Sequence, residues 1–143
     1  MVDGTALSKL VGELLIAIHA LTGHPLPARV PEVAFLPHAV LEQQVCGRPC
    51  AVYGWFPPGD TIYLDQRLDP LEDVYARGIL LHELVHFLQQ EEGAFAPPTS
   101  CQAWVERERE AFEVQLRWLA AQRATGHSLA RRAPMPLRYA CND

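Results

Sequence analysis

The chain has 143 residues, 49% of them hydrophobic and 20% charged, with a formal net charge of −5. A chain of this length makes one domain with a core of its own, and this composition excludes a disordered polypeptide. The acidic balance leaves no electrostatic footprint for nucleic acid or for an anionic membrane surface. No apolar run approaches the roughly 20 residues of a membrane-spanning helix, so no membrane partner is expected.

The N-terminal run Leu14-Leu15-Ile16-Ala17-Ile18 is apolar, but it does not read as a secretion signal. Asp3 and Glu13 are acidic, His19 interrupts the run, and Lys9 is the only basic residue before it. Instead, Leu7, Leu10, Val11, Leu14, Leu15, Ile18 and Leu21 recur at three- and four-residue spacing, which predicts an amphipathic helix over 7–22. Gly23 occupies its cap position and Pro25 follows. Glu32 to Leu36 reads as a short strand, and Pro37 opens a helix to about Val45. Ala51–Phe56 and Thr61–Leu64 read as two strands joined through the turn Pro57-Pro58-Gly59-Asp60. Asp69-Pro70-Leu71-Glu72 has the chemistry of a helix start, giving a helix from about Pro70 to Gln90 that ends at Gly93. A second long helix is expected from about Cys101 to Thr125, stopped by Gly126, followed by an irregular tail over 127–143. This order of elements describes a small α+β domain.

Cys46, Cys50, Cys101 and Cys141 allow three disulfide pairings if all are oxidised. Disulfides would tilt the location towards the secreted or periplasmic side. The Cys-x-x-x-Cys spacing is a poor zinc-ribbon pattern, because no second pair follows it.

The stretch that carries chemistry is His82-Glu83-Leu84-Val85-His86. It is an HExxH pattern, in which two histidines one helical turn apart share a Zn²⁺ ion and the glutamate serves as base. Zinc lowers the pKa of a bound water to roughly 7, and Glu83 is placed to activate it. A catalytic zinc has three protein ligands and one open position, so a third ligand is needed. Glu92 stands where a metzincin has its third histidine, and Gln89 where it has its spacer glycine. The remaining candidates are His127 and Glu106, Glu108, Glu110 and Glu113 of the second helix.

At about 100° per residue, Glu106, Arg109, Glu110, Glu113 and Arg117 fall on one side, an ordinary solvated and salt-bridged face. Glu108 falls opposite, within the apolar stripe of Cys101, Trp104, Val105, Ala111, Phe112 and Leu119. A carboxylate there is costly unless a cation holds it. The expected metal set is therefore His82, His86 and Glu108, with one Zn²⁺ per chain. Gln89 and Gln115 lie two turns beyond His82 and Glu108, and each either orients a metal ligand or closes the polar end of the helix interface.

Together, His82-Glu83-Leu84-Val85-His86 and Glu108-Arg109-Glu110-Ala111-Phe112 resemble the gluzincin type of zincin metallopeptidase. The chain is also similar to small bacterial zincin-like domains carrying HELVHxLQ. The resemblance covers about residues 50–120 and implies a minimal zincin-like domain. Such a domain has a small, mostly antiparallel sheet packed on the HExxH helix and a second long helix, with the N-terminal helix added. It also implies hydrolysis of a peptide or protein substrate. In that fold the strand before the motif helix forms the rim of the cleft, which would make Ile62 and Tyr63 rim residues that pair with an extended substrate. Phe112 departs from the Asp or Asn often found at its position. Tyr63, Tyr75, His127, Arg138 and Tyr139 are the residues chemically able to stabilise an oxyanion. Competing with the peptidase are a catalytically weak metal-binding or regulatory domain and a latent enzyme whose tail around Arg132–Tyr139 lies in the cleft. A purely structural zinc site would need a fourth ligand and leave Glu83 without a use. Oligomeric state is not set by the sequence.

Overall fold

A computed structural model describes residues 3–94, 100–123 and 128–132. The first helix, α1 (Gly4–Thr22), starts at Asp3, whose carboxylate accepts from the Thr5 amide at 3.0 Å. It ends where Gly23 turns left-handed at φ 81°, a backbone that favours glycine. Strand β1 (Glu32–Leu36) leads into α2 (His38–Val45), and β2 (Gly54–Trp55) and β3 (Thr61–Asp65) follow. Next come α3 (Val74–Glu91) and α4 (Cys101–Gln122), with a short 3-10 turn at Ala130–Arg132. The α+β class read from the sequence is the one observed, with an N-terminal helix and two long helices packed along each other.

The sheet differs from the expected, mostly antiparallel one: it is mixed, in the order β1-β3-β2. β1 runs parallel to β3 with Glu32 opposite Thr61, and β2 runs antiparallel to β3 with Trp55 opposite Tyr63. The physical reason is the connection between β1 and β3. It contains α2 and β2, long enough for the chain to cross over and return in the same direction. The hairpin through Pro57–Asp60 holds, but β2 is only Gly54–Trp55, shorter than the six residues read as strand. Gln90 clamps the turn from α3, with its side chain bonded to both N and O of Gly59. Arg29 adds ion pairs to Asp60 and Glu91 and stacks over Phe87.

The start of α3 also differs. Asp69 caps only a turn, through Leu71 N at 3.0 Å, and Asp73 caps the helix proper through Tyr75 N at 2.9 Å. Arg77 reaches back to the carbonyls of Pro70 and Leu71, so the turn's acceptors are satisfied without helical continuation. α4 ends at Gln122, three residues before the expected end at Thr125, and Arg123 after it takes the left-handed conformation. The expected stop at Gly126 and the tail from His127 fall outside the described residues, apart from residues 128–132.

From Gly78 to Gln89 every residue of α3 is buried, so this helix is the centre of the molecule rather than an amphipathic surface helix. α1, α4 and the sheet surround it. By length and composition α1 is apolar enough to cross a membrane, which corrects the expectation that no segment is. Here it buries Leu7, Leu10, Val11, Leu14, Leu15 and Ile18 in the core. Cys46 and Cys50 form a disulfide, and Cys101 is likewise disulfide-bonded. Cys141 lies outside the described residues.

Candidate metal centre

α3 forms the floor of an open cleft of about 580 Å³, contributing Ile79, His82, Glu83 and His86. One wall is Val45–Cys46 with the segment Ala51–Phe56, and the other is Trp104, Arg107, Glu108 and Phe112 of α4. His82, His86 and Glu108 converge there, each offering an atom within 4.8 Å of the others, a group that could hold a metal ion. His82 Nε2 lies 3.1 Å from Glu108 Oε2, and His86 Nε2 lies 2.9 Å from Glu108 Oε1. The second contact is short, yet its direction is not that of a hydrogen bond, so the buried His86 Nε2 has no hydrogen-bond partner. A buried ring nitrogen and a carboxylate oxygen that approach without bonding to each other are arranged as two donors to a third atom. The site therefore fits a cation on its own geometry, and its two-imidazole, one-carboxylate donors suit a divalent ion.

Two glutamines set the rings. His82 Nδ1 lies 3.0 Å from Gln115 Oε1 and His86 Nδ1 2.8 Å from Gln89 Oε1. Both amide oxygens accept, so each neutral ring carries its proton on Nδ1 and keeps the Nε2 lone pair for the cleft. The Gln89 orientation is itself fixed, because Gln89 Nε2 donates to Arg107 O at 3.1 Å and to Glu110 Oε1 at 2.9 Å. Phe112 packs its ring 4.4 Å from that of His82. It holds His82 by an edge contact.

The same arrangement governs protonation. Burial raises the Glu108 pKa, but the imidazoles of His82 and His86 against its oxygens outweigh it and hold the carboxyl well below the usual carboxylate range. Burial lowers the His86 pKa, and Glu108 beside it more than reverses that. Glu83 shifts upward: burial dominates, and His82 and His86 offset it only in part. A carboxyl raised in this way is a better base than an exposed glutamate.

Several sequence expectations are corrected. Ile62 and Tyr63 are not on a rim: β3 is the central strand, paired on both edges, and Ile62 is fully buried. The strand that lines the cleft is β2, whose far edge is unpaired among the described residues. Tyr63 stacks on Trp55 and Tyr75 lies under Arg131, so neither oxyanion candidate lines the cleft. His127, Arg138 and Tyr139 lie outside the described residues, as does the proposed covering tail beyond Arg132. Glu110 is not on a merely solvated face. Its Oε1 accepts from Gln89, and its Oε2 lies 3.1 Å from His24 Nε2, while Glu106, Arg109, Glu113 and Arg117 are exposed as expected. Trp104 is 44% exposed at the cleft mouth rather than in the core.

Gly54, Arg107 and His24 were missed by sequence reasoning. Only Gly54 left a usable signal, since a glycine inside a strand marks close backbone approach. A Cβ on Gly54 would lie 2.9 Å from Ile79 Cγ2 and 3.2 Å from Glu83 Cγ. Comparison with protein-family models, with curated proteins and with solved structures gives no match to this chain.

Proposed function

We propose that this protein is a zinc-dependent peptidase of the gluzincin kind, with His82, His86 and Glu108 as metal ligands and Glu83 as general base. The observation that carries the reading is the placement of Glu83. Its carboxylate is buried at the floor of an open cleft beside the three-donor cluster and is not itself one of the donors. A structural metal site has no use for such a group. Bound there, zinc would supply Lewis acidity, polarising a carbonyl and making water acidic enough to deprotonate near neutral pH. Glu83 takes the proton from the attacking water and passes it to the leaving amine. Gln89 and Gln115 keep the ring nitrogens aimed, and β2 offers backbone groups to an extended chain lying in the cleft.

The test is Glu83→Gln. This variant should lose cleavage of denatured proteins and peptide libraries while retaining about one metal ion per chain. If a fully metal-loaded parent cleaves nothing across a broad peptide library, the binding or regulatory domain becomes the better reading.

A further inference from the structure

Arginines in this molecule are mostly accounted for. Arg29 and Arg67 pair with carboxylates, and Arg109, Arg117 and Arg123 stand in solvent. Arg77 and Arg107 are the partly buried arginines among the described residues. Arg77 donates to the carbonyls of Pro70 and Leu71. The Arg107 side chain makes no ion pair and donates no hydrogen bond among the described residues. Arg107 instead lines the metal cleft, close enough for its charge to act on Glu83.

An unpaired guanidinium in a half-enclosed cleft is a poor structural element, because desolvating it gains nothing without an acceptor. It is a good recognition element, since its planar fork matches a carboxylate with two parallel bonds. Charge points the same way. Once a divalent ion is balanced by Glu83 and Glu108, Arg107 remains as an uncompensated positive charge in the cleft. The same cleft is lined by the apolar side chains of Trp55, Trp104, Phe112 and Val52.

We propose that Arg107 anchors a carboxylate of the substrate, so that the cleft selects a peptide by an anionic group beside a bulky apolar residue. The inference rests on the peptidase reading for the word substrate, but not for the binding itself. A carboxylate can come from the peptide's C-terminus or from an acidic side chain, and both present the same two oxygens.

Binding to the metal-loaded Glu83→Gln protein tests this without turnover, by calorimetry and by the fluorescence of Trp55 and Trp104 in the cleft. The probes are N-acetyl-phenylalanine against its amide, and N-acetyl-glutamyl-phenylalaninamide against its glutaminyl counterpart. A charge-assisted pair should favour the acid by about tenfold or more. Preference within the first pair identifies a C-terminal carboxylate, and preference within the second alone identifies an acidic side chain. Adding Arg107→Gln should reduce either preference to within about twofold, while Arg107→Lys keeps part of it. The proposal is overturned if acid and amide bind equally in both pairs, if no probe binds, or if the preference survives Arg107→Gln. A parent that cleaves no peptide, yet whose Glu83→Gln form shows Arg107-dependent carboxylate binding, would overturn the peptidase reading and leave this one standing.

Discussion

Gly54 stands so close to Glu83 that a single added carbon would lie 3.2 Å from Glu83 Cγ and 3.4 Å from its Oε1. Glu83 is thus held between its own helix and the backbone of β2, and the strand can reach it only because position 54 has no side chain. Gly54→Ala must push β2 off α3 or rotate Glu83, because the new carbon also meets Ile79 Cγ2 at 2.9 Å. Overpacking of this kind costs about 1–3 kcal/mol. We predict that loss in chemical denaturation, together with a fall in peptide cleavage of roughly tenfold to a hundredfold at unchanged metal content. Parental kcat/KM in Gly54→Ala would show that the close approach has no bearing on catalysis.

The three donors and the residues behind them should separate by metal affinity. Gln89→Leu and Gln115→Leu leave the ligands in place but free the rings, and should weaken metal binding by about 10–100-fold. Glu108→Ala removes a ligand and should cost more than either. Glu106→Ala, on the exposed face of the same helix, should cost nothing measurable. Competition with a chelator of known affinity measures all four, and a Glu108→Ala protein that binds as tightly as the parent would falsify the ligand assignment.

His24 connects the end of α1 to the supports of the site, with Nδ1 2.6 Å from Glu92 and Nε2 3.1 Å from Glu110. Burial lowers its pKa, but Glu110 and Glu92 outweigh burial and raise it above 6.5. The folded state therefore holds this proton more tightly than the unfolded chain does. The stability so gained is fully present below 6.5 and is lost as pH rises through the folded pKa. Denaturation of parent and His24→Gln between pH 6 and 9 should show a steeper decline in the parent. Parallel curves would mean that the pair with Glu110 and Glu92 contributes nothing to folding.

Asp65 has the opposite sign. It is fully buried at the end of β3, and it accepts from Arg67 Nη2 at 2.7 Å and from His38 Nδ1 at 2.8 Å. Burial raises its pKa, but the Arg67 and His38 bonds more than reverse this, so the folded value lies below 3.8. Its contribution is complete above 3.8 and fades as pH falls through the folded pKa. Asp65→Asn should destabilise the protein at neutral pH by roughly 1.5–3 kcal/mol, the worth of hydrogen bonds to a charged group. It should also flatten the acid limb of the stability profile. An acid limb identical to the parent's would assign that slope to other carboxylates.

Most of the local structure was legible in the residues themselves. The HExxH spacing puts His82 and His86 on one helical face, and Gly23 sets the end of α1. The apolar neighbours of Glu108 single it out from Glu106 and Glu110, because an isolated carboxylate on such a stripe needs a cation. Each of these follows from the periodicity of one helix or from the conformational range of one residue. Packing supplied the relationships between residues far apart in the chain. β3 is central because β1 returns parallel beside it, and no periodicity within Thr61–Leu64 carries that information. His24 reaches Glu110 across 86 positions. Gly54 meets Glu83, and Arg107 is left without a carboxylate, only once β2 and α4 are packed on α3. Helical spacing fixes which face a side chain occupies, whereas the partner it finds there is set by how the elements pack.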